Sequence, residues 1–107
     1  MSYSNVLMRD AVVVDATTPV KIFDSQTSTR IGWRVVIPGS VGAGIGMLFY
    51  IQATGATAPT KAAVVAGPSL RAEAADSDED GARSTLDIYA VMESGASVTI
   101  TPQEILQ

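Results

Sequence analysis

The sequence has neither cysteine nor histidine. That excludes disulfide staples, Cys and His nucleophiles, a His general base, and the ligand sets of zinc fingers, haem and iron–sulfur clusters. Long hydrophobic runs are also missing. The apolar stretch Ala11-Val12-Val13-Val14 follows Arg9 and Asp10 and is far shorter than a signal h-region or a membrane span of about 20 residues. Positive charge is scarce, with 7 Lys and Arg against 11 Asp and Glu for a net charge of -4. A chain that must neutralise phosphates needs the opposite sign, so no nucleic acid partner is expected, and no membrane. Aromatics amount to only 6%, which leaves few for an exposed carbohydrate platform. These absences lead to the expectation of a protein made and kept in a reducing cytosol, at least until it joins something larger.

What remains suits one domain. A chain of 107 residues, 47% hydrophobic and 17% charged, has enough apolar content to hold a core without staples. Its apolar residues recur with period two, most clearly in Arg30-Ile31-Gly32-Trp33-Arg34-Val35-Val36-Ile37. Such alternation is the mark of a half-buried strand. Strands are predicted at 20–23, 30–37, 47–52, 61–65, 69–74, 86–92 and 98–101, with a weaker one at 6–14. Turn-forming Gly, Pro, Ser, Thr and Asp clusters separate them. The predicted fold is all-β, a single antiparallel β-sandwich or barrel of about seven to eight short strands. Residues 1–16 read as an N-terminal arm and first strand, and 17–107 as the sandwich domain. The helix formers of 70–75 leave room for a short helix as an alternative there. Ile31, Trp33, Val35, Ile37, Leu48, Tyr50, Leu86, Ile88, Ala90, Val98 and Ile100 are predicted to face inward, with Trp33 as the anchor. Arg30 and Arg34 share the polar face of their strand and are expected to pair with acids across strands or across a subunit interface.

Two loops invite a site. Residues 39–46 are glycine-rich but lack the Gly-Lys-Ser/Thr ending of a phosphate loop and run into a strand instead of a helix. They read as a flexible connection whose apolar Val41 and Ile45 are free to contact a partner. Asp76, Asp78 and Asp80, followed by Gly81, fit the D-x-D-x-D-G pattern of a calcium loop, and Asp87 then falls at loop position 12. Hard Ca²⁺ wants several carboxylate oxygens, and glycine permits the sharp turn that gathers them. The pattern departs from an EF-hand in having Asp at position 12, Arg83 at position 8 and a strand from Leu86. It reads as a solvated acidic hairpin loop, with Asp76, Asp78, Asp80 and Asp87 as the ligands of any calcium. Asp and Glu are the remaining acid/base pair types, and nothing in their spacing opposes two of them across a cleft, so no enzyme is expected.

Four pieces together resemble the small β-sandwich structural proteins of tailed bacteriophage virions, the head decoration and head fibre group. Thr29-Arg30 and the alternating strand after it resemble that family's arginine-led strand, and Leu48-Phe49-Tyr50-Ile51 with Gly55 resembles its next strand and turn. Ala66-Gly67-Pro68-Ser69-Leu70 is similar to its Ala-Gly-x-Ser-Leu turn, and Ile88-Tyr89-Ala90-Val91, Ser94-Gly95 and Val98-Thr99-Ile100 to its closing hairpin. The similarity covers about residues 17–104, while 39–46 and Asp76 to Arg83 are longer than that family's turns. The resemblance implies a non-enzymatic capsid decoration or cement protein of the virion. Its partners would be the major capsid protein or other virion subunits, and it would act as a homo-oligomer, often a trimer. Residues 1–10, with Met1, Tyr3, Val6 and Leu7, and the loop carrying Val41 and Ile45 would then make the contacts. The rival class is a calcium- or carbohydrate-binding β-sandwich module.

Overall fold

The clearest alternating run, residues 30–37, becomes strand over Arg30–Arg34, and its Val35 and Ile37 still enter the core. The computed structural model describes residues 5–25, 30–42, 44–73 and 86–106. In chain order these form β1 (Asn5–Met8), β2 (Val12–Val14), β3 (Val20–Phe23), β4 (Arg30–Arg34), a 3-10 turn (Gly39–Val41), β5 (Gly46–Gln52), α1 (Lys61–Ala66), β6 (Leu70–Glu73), β7 (Asp87–Met92), β8 (Val98–Ile100) and β9 (Gln103–Leu106). The fold is all-β, with antiparallel pairing in three sheets ordered β3-β7-β5-β6, β1-β9-β4 and β2-β8.

The main core lies between the four-stranded sheet and β4. Trp33 is 1% exposed, its ring 5.6 Å from that of Phe23 and 5.2 Å from that of Phe49, both in tilted contact. Val14, Ile22, Val35, Ile37, Met47, Ile88, Ala90, Met92 and Ile100 complete it. On the other face of the four-stranded sheet, α1 covers a smaller cluster of Leu48, Val64 and Val91, with Tyr50 half-buried against it. Every residue of β7 is therefore buried, as befits a strand covered on both faces.

Several expectations are corrected. Residues 61–65 are helix, not strand: Thr60 caps the helix by accepting from the Ala63 N–H at 3.2 Å, and the alanines that follow favour helix. The helix ends at Gly67, where a Cβ would stand 2.9 Å from the Ala63 carbonyl oxygen and 3.1 Å from the Tyr50 ring. The alternative of a helix at 70–75 is not adopted, because Leu70–Glu73 is strand β6, paired with β5. Leu48 and Tyr50 face the small cluster, while Met47 and Phe49 take the main core, and Leu86 is exposed. The Ile31 side chain lies outside the described residues.

From Asn5 onward the N-terminal segment is a paired strand. β1 pairs with β9 from Asn5↔Leu106 to Met8↔Gln103, and the Arg9 N–H continues the ladder to the Pro102 carbonyl at 2.8 Å. Pairing resumes between β2 and β8 at Val12↔Ile100, with one extra residue accommodated on the N-terminal side. Residues 5–14 thus run as one interrupted strand along 98–106, turning from the three-stranded sheet into the two-stranded one. The expectation of a weak strand at 6–14 is met in this broken form, whereas β9, the middle strand of its sheet, was not expected.

Candidate functional site

The chemistry of the described chain is concentrated where the two ends meet. Directly opposed residues of an antiparallel pair point to the same face, so Glu104, opposite Trp33, faces inward. Arg30 would fall on the outer face of a regular strand. A register shift between Arg30 and Gly32 turns it instead toward the Phe23 ring, 5.3 Å away. Its Nη1 donates to Glu104 Oε2 at 2.7 Å and to the Asp24 carbonyl at 2.9 Å, and Nη2 donates to the Leu86 carbonyl at 2.6 Å. Both side chains are fully buried. Arg9 closes the cluster, its Nε donating to Glu104 Oε1 from a side chain 36% exposed. A buried carboxylate between two guanidiniums has both oxygens engaged, which holds ends distant in sequence rather than poising a proton for transfer.

Two further carboxylates are engaged in the same manner. Asp87, 3% exposed, accepts from the Ser25 N–H at 2.8 Å and the Gly55 N–H at 3.4 Å, and lies 3.6 Å from Lys21 Nζ. Lys21 is in turn held charged to higher pH, chiefly by its hydrogen bond to Asp24. Glu93 accepts from Arg71 Nε at 2.8 Å, Arg71 Nη2 at 2.9 Å and the Gly46 N–H at 2.9 Å. The Arg71 guanidinium holds the Glu93 carboxyl below its ordinary range. Gly46 lets this pair close over the strand, since a Cβ there would come within 2.6 Å of Arg71 Nε and push the guanidinium aside.

Against this geometry the residues read from sequence divide sharply. Met1, Tyr3, Asp76, Asp78 and Asp80 lie outside the described residues, as does the side chain of Val6. Leu7 is exposed on β1. Val41 and Ile45 are not free contacts: both are half-buried and pack against the main core, because the 3-10 turn folds the glycine-rich loop back. Asp87, the one residue of the calcium reading that is described, has its oxygens directed at two backbone amides and Lys21. Among the described residues no three Asp or Glu side chains converge on a metal position. Phe23, Trp33, Phe49 and Tyr89 are buried and Tyr50 is half-buried, so the described aromatics form no sugar platform.

Sequence reasoning missed Arg9 and Glu104. The available signal was an acid embedded in Pro102-Gln103-Glu104-Ile105-Leu106 and an arginine opening the Trp33 strand. Pairing of Arg30 with an acid across strands was expected, and Glu104 is that acid. Compared with family models, curated proteins and solved structures, the chain matches none.

Proposed function

We propose that this protein is a non-enzymatic structural subunit that decorates or cements a bacteriophage head as a homo-oligomer, a trimer being the favoured state, with the major capsid protein or another virion subunit as partner. The carrying observation is the exposure of Leu7, Met8 and Val13, at 40%, 57% and 59%, on a ribbon pinned to the domain. Apolar side chains fixed on a strand in water are a solubility liability for a free monomer and gain burial against a neighbour. The saturated carboxylates support the same reading, because an acid whose oxygens are all engaged is poorly placed as a general base. The assignment to a virion is supported by the sequence resemblance over about residues 17–104. The test compares the native chain with a Leu7→Ser, Met8→Ser, Val13→Thr variant by light scattering during size exclusion. A native oligomer and a monomeric variant of unchanged melting temperature are expected. A native chain that stays monomeric up to its solubility limit would overturn the assembly role.

A further inference from the structure

We propose that β9 exchanges its own β1 for the β1 strand of a second copy, so that subunits are joined by exchange of residues 5–9. This deepens the assembly reading and rests on it. Opposed register places Leu7 on the face of Glu104 and Met8 on the other, and both are exposed. A strand whose described side chains are in water on both faces is held to its own domain by its backbone ladder and by Arg9 on Glu104. Every one of those contacts is reproduced when the strand comes from an identical chain, which makes exchange a low-cost route to association.

Where the strand would part company with its domain is also on the page. Only Arg9, Asp10 and Ala11 separate β1 from β2, and within them the ladder is already interrupted by one extra residue. A short joint at a break in pairing is where strand exchange begins. Should β1 leave, β9 would present an unpaired row of amides and carbonyls beside an unneutralised side of Glu104, a template that a second β1 with its Arg9 completes. Exchange would also bring two copies together next to the joint, where Val13 is exposed.

The absence of cysteine makes the test clean. Met8 and Gln103 are register partners, and the Arg9 to Pro102 hydrogen bond next to them makes theirs the closer, non-hydrogen-bonded type of pair, suited to a disulfide. Met8→Cys and Gln103→Cys single variants carrying tags of different size are refolded together, oxidised and mapped by peptide mass spectrometry. A disulfide between position 8 of one chain and position 103 of the other is expected in most linked dimers. The double variant should give covalent multimers, and two glycines inserted after Asp10 should lower that yield several-fold. A double variant that bridges only within one chain, or mixtures linked only through position 8 to position 8, would overturn the exchange. If the native chain is still an oligomer in that case, the assembly reading survives; a native monomer would remove both.

Discussion

Trp33 and Glu104 stand opposite each other in one ladder and face the same way, yet the regions they anchor are held by opposite physics. Around Trp33 the contacts are apolar and numerous, and their attraction is non-directional, so each neighbour contributes and none is unique. Around Glu104 there are two cations, and the balance between desolvation and attraction holds only while both carboxylate oxygens keep their partners. The comparison teaches that a loss in the sandwich core scales with the apolar volume removed, whereas a loss at the junction of the chain ends comes from leaving a buried charge without its partner.

The largest expected effect comes from emptying the first region. Trp33→Ala should cost about 3–5 kcal/mol, enough to unfold much of a marginal domain. A melting temperature within a degree of the native value would show that the core does not depend on the indole.

A somewhat smaller loss, about 3 kcal/mol, is expected for Glu104→Gln, which leaves Arg30 charged and buried without its counter-ion. The comparison is sharpened by the double variant Arg30→Met with Glu104→Leu. Replacing the buried pair with apolar groups of similar size should recover most of the single variant's loss in urea unfolding. If the double variant is as unstable as the single one, the pair contributes specific attraction that apolar packing does not replace.

The smallest effect belongs to the exposed pair of Glu93 and Arg71, which resembles the Glu104 cluster in chemistry but not in burial. Arg71 lowers the Glu93 pKa in the folded state, so the folded chain keeps this carboxyl ionised at a pH where the unfolded chain has protonated it. The contribution is complete above the ordinary carboxylate value of 4.5 and is lost as pH falls through the lower folded value. Glu93→Gln should therefore narrow the stability difference from the native chain as pH is lowered from 7 to 3. A difference constant over that range would assign the effect to something other than ionisation.

Legibility in the sequence followed locality. The strands at Val20–Phe23, Gly46–Gln52 and Asp87–Met92 were readable because short runs of apolar, largely β-branched and aromatic residues are bounded there by turn residues close by in sequence. Lys61–Ala66 was misread because a short apolar run fits strand and helix alike, and the Thr60 cap, a single side chain, decided between them. β9 was unreadable for a different reason: its four residues carry no clear period, and its place as a middle strand is set by β1 and β4, both far away in sequence.

By itself the sequence determined the class: period-two patterning and frequent turn residues make strands, and the lack of thiol and imidazole removes the chemistries that need them. Tertiary structure alone decided that Glu104 faces inward, that a register shift swings Arg30 to meet it, and that Arg9 arrives from the other end of the chain. Propensity and alternation are properties of neighbours along the chain. A buried ion pair joins groups 74 and 95 residues apart, and only the sheet that brings its strands side by side can make it.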